Sequence, residues 1–226
     1  DIDEIVNSLK KDIDKEIEIA IKNTQNGDIA YLNGQDDNGC WAASYAWEHE
    51  CWGSSFNKAN AIMEHFYIYN DKEYLKRYYP RMLASTKFNY KARQSTKNSI
   101  NTAERGLMPR GMGDCGMVYK GDYYGVFYPW NILSVSADEL TLKAAKILSK
   151  TDDIEFLENA YNEAKEDLIN SLRNNVVNVD GYLRVPVATD GTASSLYGCF
   201  FSIFPGHIFS YDEPMIQGTL KYIESK

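Results

Sequence analysis

Apolar residues recur at three- and four-residue steps along much of the chain, which is the spacing of one face of an α-helix. The first such stripe covers residues 2–21 and is flanked by Asp, Glu and Lys, so it predicts an amphipathic helix. Two further stripes, over residues 59–66 and 74–82, are separated by Asn70-Asp71 and predict a helical hairpin. Pro80 falls inside the second of them, where we expect a kink or a fresh helix start.

The second half of the chain repeats this pattern. Stripes over residues 133–148 and 154–172 predict another helical hairpin, with its turn at Thr151-Asp152-Asp153. Alternation around Asp180-Gly181 then predicts a short β-hairpin. Two shorter helices are expected near the C-terminal end, over residues 200–204 and 214–223.

A glycine-rich run separates the two predicted hairpins. From Gly106 to Gly116 it reads GLMPRGMGDCG, which holds four glycines and one proline, and Gly121-Asp122-Tyr123-Tyr124-Gly125 follows. Glycine and proline at this density stop a helix and permit turns with positive φ. The run therefore predicts a loop of definite shape, and the competing interpretation is an ordinary long connector.

Composition excludes several classes of function. The formal net charge is −8, so a nucleic-acid surface that would neutralise phosphates is not expected. No apolar run approaches the roughly 20 residues that a membrane span requires, so we predict no membrane partner. Cys40, Cys51, Cys115 and Cys199 lack the spacing of a zinc site, and free thiols are the default, with one or two disulfides left open.

Long loops on alternate connections between helix pairs favour an all-α toroid with a cleft at the long-loop end. An irregular helical bundle or an α-solenoid is the structural alternative. Aromatic residues make up 13% of the chain, and several of them stand in or beside the predicted loops. Because sugar rings stack their C–H faces on Trp and Tyr, these positions favour a carbohydrate ligand.

The run from Gly106 to Asp114 resembles the "Gly-Leu-hydrophobic-Pro … Gly-Asp-Trp" loop of the six-hairpin glycosidases, closest to the α-L-rhamnosidase-like enzymes. The resemblance implies an all-α fold in which residues 1–226 form a single domain of helical hairpins, part of an (α/α)6 toroid with short β excursions in the long loops. It implies no cofactor and no metal. Since a complete toroid takes twelve helices, the remaining hairpins of a longer parent chain are expected as partners.

Two loop carboxylates are the catalytic candidates that the resemblance implies. Asp114 occupies the family's Gly-Asp position, and Asp122 lies near the place where such loops carry a general acid, usually Glu. Glycoside cleavage needs one carboxyl group to protonate the leaving oxygen and a second as base or nucleophile. For each residue the alternative is a turn or helix-capping role, which Asp also favours.

Six residues are candidates for substrate binding, namely Trp41, Trp52, Arg110, Tyr123, Tyr124 and Trp130. Cys115 stands where the family usually has Trp, which removes one expected ring. Glu48 and Glu50 flank His49, but residues two apart face different sides of a helix, so a surface or capping role is favoured for them.

Together these observations predict a glycoside hydrolase acting on an oligosaccharide or polysaccharide, with a carbohydrate substrate as its partner. Two alternatives stay open: a carbohydrate-binding helical domain without catalysis, and a helical-repeat scaffold for protein partners.

Overall fold

The computed structural model describes residue 32 and residues 34–41, 50–113, 117–191 and 193–226. The chain divides into two compact units, residues 1–34 and 35–226, and every element below belongs to the second. The amphipathic helix predicted over residues 2–21 lies outside the described residues.

The described residues are mostly helical, which confirms the all-α class. In the described part of the chain, six α-helices follow one another as α1 (Ser54–Tyr69), α2 (Lys72–Thr96), α3 (Tyr128–Ile147), α4 (Thr151–Asn174), α5 (Leu196–Ile203) and α6 (Pro214–Glu224). Two small antiparallel β-pairs lie between them, β1 (Gly111–Met112) with β2 (Tyr124–Gly125) and β3 (Val177–Val179) with β4 (Tyr182–Arg184). A short 3₁₀ helix covers Thr102–Glu104.

Both predicted helical hairpins form. The turn between α1 and α2 uses Asn70 in the left-handed region, followed by Asp71, whose carboxylate accepts a hydrogen bond from the Tyr74 backbone N–H. Helix α2 runs through Pro80, so no fresh helix starts there. Pro80 is exposed, so water can reach the carbonyl oxygen that its missing N–H leaves without a helical partner.

Helix α3 is the centre of this unit, because it packs against α1, α2, α4 and α5. Its inward face contributes Ile132 and Val135 to a core that also contains Leu168 and Leu172 of α4, and all four side chains are buried. Burial of a side chain of this size stabilises the fold by about 1.5–3 kcal/mol. The apolar stripes seen in sequence therefore mark the surfaces along which α3 and α4 pack.

A buried polar network joins α2 to α3. The Arg93 guanidinium donates to the Asp138 carboxylate at 2.5 Å and to the Ser134 hydroxyl at 2.6 Å, and Asn89 donates to the same carboxylate at 3.2 Å. A buried ion pair needs such additional hydrogen bonds to offset its desolvation. The network thus fixes how the first hairpin is aligned with the second.

None of the helices in the described part of the chain has both the length and the apolar character needed to cross a bilayer.

Candidate functional site

The glycine-rich loop is fastened to the helices through its backbone. At the start of the loop, the hydroxyl of Thr96, the last residue of α2, donates to the Leu107 carbonyl at 2.7 Å. The next backbone N–H, that of Met108, donates to the buried Asn131 side chain at 2.8 Å. Asn131 also donates to the Phe127 carbonyl at 2.9 Å, so one amide side chain joins the loop to the start of α3.

Two of the predicted tryptophans fasten the next part of the loop. The indole N–H of Trp52 donates to the Pro109 carbonyl at 2.8 Å, and that of Trp130 donates to the Met112 carbonyl at 2.9 Å. Both indole groups are therefore used for internal hydrogen bonds. Only the ring surfaces of these two residues are left for contact with a ligand.

A small β-pair then holds the loop against the segment that precedes α3. Gly111 lies opposite Gly125, and Met112 lies opposite Tyr124. A Cβ atom at Gly111 would lie 2.3 Å from the Glu50 carbonyl oxygen and 2.4 Å from the Trp52 indole nitrogen. Glycine is required there because the loop backbone passes directly over these two residues.

This arrangement encloses a groove of about 510 Å³ beside the loop. Its walls are formed by Glu50, Trp52, Thr96, Glu104, Pro109, Arg110, Tyr124 and Val126. The size is within the range of small-ligand sites. The groove thus combines two carboxylates, one guanidinium group and two aromatic side chains.

The polar groups of the groove are connected to one another. The Tyr124 hydroxyl donates to the Glu50 carboxylate, and Arg110 donates to the Tyr124 carbonyl at 2.8 Å. The hydrogen bond with Glu50 raises the pKa of Tyr124, while the positive charge of Arg110 acts in the opposite direction. The Tyr124 hydroxyl is therefore protonated at neutral pH, and its hydrogen bond orients the Glu50 carboxylate.

The structure brings three of the predicted binding residues together in the groove, namely Trp52, Arg110 and Tyr124. Trp52 is only 9% exposed, so little of its ring surface is open to a ligand. Trp130 is partly exposed beside the loop, and its ring lies against Gly53.

The other predicted residues lie elsewhere. Trp41 is 1% exposed, which does not fit a ring platform for a sugar, and it is left out of the site. Tyr123 is 57% exposed on the loop. Asp122 is exposed at the end of a tight turn, where its backbone pairs with Tyr119 in both directions at 2.6 and 2.9 Å, and it does not line the groove. Asp114, the first catalytic candidate, lies outside the described residues, as does Cys115.

Sequence reasoning did not select the two groove carboxylates. A surface or capping role is expected for Glu50 from sequence, but it stands in a turn with φ of 64°, immediately before the segment that carries Trp52. Its position between two tryptophans in Trp47 to Trp52 was the available signal. Glu104, in the 3₁₀ helix, gave no signal, because nothing in its neighbourhood distinguishes it from a surface acid.

Cys40, Cys51 and Cys199 are buried, and Cys199 is a free thiol, as the default interpretation expected. Within the described residues, no group of three or more His, Cys, Asp and Glu side chains is placed to hold a metal ion. Comparisons with protein-family models, with curated proteins and with solved structures find no match.

Proposed function

We propose that this chain is a glycoside hydrolase whose saccharide substrate binds in the groove beside the glycine-rich loop, on a scaffold that forms part of an (α/α)6 toroid. The observation that carries the proposal is the meeting of Trp52, Arg110 and Tyr124 with two carboxylates in one groove. Aromatic carbon surface next to convergent polar groups is the usual composition of a site for a polyhydroxylated ligand.

We assign the two catalytic roles to different carboxyl groups. Asp114, which directly follows Gly113 in the sequence, remains the candidate for the acid that protonates the leaving oxygen. Glu50 is the candidate for the base or nucleophile, because the hydrogen bond from Tyr124 orients its carboxylate within the groove. Glycosidases place their two carboxyl groups about 5–10 Å apart, according to whether configuration is retained or inverted. Asp122 stays the second sequence candidate.

Binding without cleavage is the second candidate function. It is favoured by the position of Asp122, whose exposed turn lies away from the walls of the groove. A groove with aromatic surface but without a second carboxylate near Asp114 would bind a saccharide and leave it intact.

The test is release of new reducing ends from a panel of oligosaccharides and aryl glycosides, measured alongside binding by calorimetry. We expect Asp114→Asn and Glu50→Gln to lower the rate by about 10²–10⁴-fold with little loss of binding, as removal of a general acid or base does. Asp180→Asn is the control, because Asp180 is an exposed turn residue far along the chain from the loop.

Each outcome separates the candidates. Hydrolysis that depends on Asp114 and Glu50 supports the hydrolase. Saccharide binding without hydrolysis replaces it with the binding domain. If no saccharide of the panel binds or reacts, both carbohydrate functions are excluded.

A further inference from the structure

Two cations lie over one tyrosine ring at the edge of the groove. The Arg110 guanidinium carbon is 4.7 Å from the centroid of the Tyr119 ring, and the Lys120 ammonium nitrogen is 5.3 Å from the same centroid. Tyr119 is buried at 5% exposure, so this ring is a fixed support. Stacking of this kind holds a guanidinium plane in place while its nitrogen donors stay at the edge.

Neither cation is neutralised by a neighbouring acid in the described part of the chain. One Arg110 nitrogen donates to the Tyr124 carbonyl, which carries no charge, and this uses one of five N–H donors. The nearby Asp190 carboxylate accepts from the Lys120 backbone N–H at 3.2 Å, and no ion pair with the ammonium group forms. In a chain of net charge −8, two cations without acidic partners at one ring are an unusual arrangement.

The remaining charges of the groove restrict where an anion can bind. Glu50 and Glu104 line the same walls as Arg110, and Arg110 is the one cation among the described residues that form them. A negatively charged ligand group is repelled by both carboxylates, and it is attracted only at the Arg110 end. Charge therefore sets the register of a bound sugar along the groove.

We propose that Arg110, supported by Lys120, makes this groove specific for saccharides that carry an anionic group. The inference rests on the proposed saccharide site and adds the class of its ligand. A planar guanidinium with free edge donors matches a carboxylate or a sulfate through two parallel hydrogen bonds. Uronic acids carry a carboxylate and sulfated sugars carry a sulfate. Both groups bear one negative charge and offer two oxygen atoms to the guanidinium group.

The test compares ligands that differ only in charge. Tetragalacturonate and its methyl ester share one backbone, and a sulfated carrageenan tetrasaccharide with its desulfated form separates sulfate from carboxylate. We expect the charged form of one pair to bind at least tenfold more tightly than its neutral form, with an affinity that falls as salt rises. A gain of this size corresponds to one charge-assisted bidentate contact.

Variants assign the preference to a residue. Arg110→Gln should lower the affinity for the charged ligand about tenfold more than it lowers the affinity for the neutral form, and Arg110→Lys should restore part of this difference. Lys120→Gln should have a smaller effect in the same direction. Arg77→Gln is the control, because Arg77 is an exposed cation on α2. This substitution removes the same charge from the chain at a position outside the groove.

The failures can be told apart. Equal binding of charged and neutral forms, or a charge preference that survives Arg110→Gln, overturns the anionic specificity and leaves the saccharide site standing. Absence of binding by all four ligands and by the wider neutral panel overturns the saccharide site and this inference together. Thermal melting of each variant verifies that it is folded.

Discussion

The hairpin of α3 and α4 and the glycine-rich loop are held in place by different interactions. The hairpin is held by apolar burial, with Ile132 and Leu168 in one continuous core. The loop buries Leu107 in the same core, and beyond that residue its backbone is held by single hydrogen bonds from side chains around it, among them those of Thr96, Trp52 and Asn131. Apolar burial gives stability without fixing a ligand geometry, whereas directional bonds fix the backbone with little stabilisation. We therefore expect mutations in the hairpin to change folding free energy, and mutations at the loop supports to change binding.

The largest effect on stability is expected in the hairpin. Leu168→Ala removes a side chain that is 0% exposed, and it should lower the free energy of unfolding by about 2–5 kcal/mol. Urea denaturation measures the loss. Glu166→Ala, on the exposed side of the same helix, should change stability by about 0.5 kcal/mol or less. Saccharide affinity of the folded Leu168→Ala fraction should be unchanged, and a lowered affinity would contradict the division between the two regions.

The next effect concerns the start of the loop. Gly106 has φ of +73°, and a Cβ atom there would lie 2.1 Å from a carboxylate oxygen of Asp167 on α4. Gly121 has φ of +84° and an open environment. Gly121→Ala should cost about 1–2 kcal/mol for its backbone conformation alone. Gly106→Ala should cost more, because Asp167 must also move, and equal losses in urea denaturation would show that this contact is easily relieved.

A polar support of the loop comes third. Asn131→Ala leaves the buried Met108 N–H without its partner, at a cost of about 1–3 kcal/mol, while the Phe127 carbonyl keeps the hydrogen bond from the Asn131 backbone N–H. Calorimetric titration should show a loss of saccharide affinity greater than that of Leu168→Ala, since the loop backbone is released. Asn162→Ala, at an exposed position of α4, is the matched control. A stability loss without any change in affinity would indicate that the loop keeps its shape by other contacts.

The smallest effect is electrostatic and depends on pH. Lys97 of the segment after α2 pairs with Glu163 at 2.6 Å and with Asp167 at 2.5 Å on α4. Its hydrogen bond lowers the pKa of Glu163. A lowered carboxyl pKa stabilises the fold above the ordinary value of about 4.3, and this stabilisation is lost as pH falls through the lowered pKa.

Because both partners are partly exposed, Lys97→Gln should cost only about 0.5–1 kcal/mol at pH 7. In urea denaturation the cost should shrink as pH falls below the ordinary carboxyl value of about 4.3 and through the lowered pKa of Glu163. Lys76→Gln, which removes an exposed pair with Glu73, should have no measurable effect at either pH. A cost for Lys97→Gln that is independent of pH would assign its role to packing of the side chain.

Sequence patterns predicted the helices well where one face of the helix is apolar. The stripes over 133–148 and 154–172 correspond to α3 and α4, and the turn at Asp180-Gly181 joins β3 to β4. Of the two outcomes expected at Pro80, the fresh helix start was wrong, because α2 continues through this residue. Pro80 is exposed, so water can solvate the carbonyl left without a helical N–H, and local sequence does not show which face is exposed.

Site residues were predicted less completely. Trp52, Arg110 and Tyr124 were selected as ring or loop positions and do meet, but the same reasoning selected the buried Trp41 and omitted Glu50. Aromatic side chains pack in hydrophobic cores as well as against ligands, so a position in a loop does not show which of these two roles a residue has. The sequence shows that residue 50 carries a carboxylate, but it does not show where that carboxylate lies. The folded turn before Trp52 places it against the Tyr124 hydroxyl.

The sequence by itself determined the all-α class, the two helical hairpins and the presence of a shaped loop between them, because these depend on local periodicity and on the conformations open to glycine and proline. Tertiary structure decided which residues form the groove. Glu50, Glu104 and Tyr124 are separated by up to 74 positions, and they come together only after α2 and α3 have packed and Asn131 has fixed the loop. Contacts between residues so far apart depend on the closure of the whole fold, which no short pattern encodes.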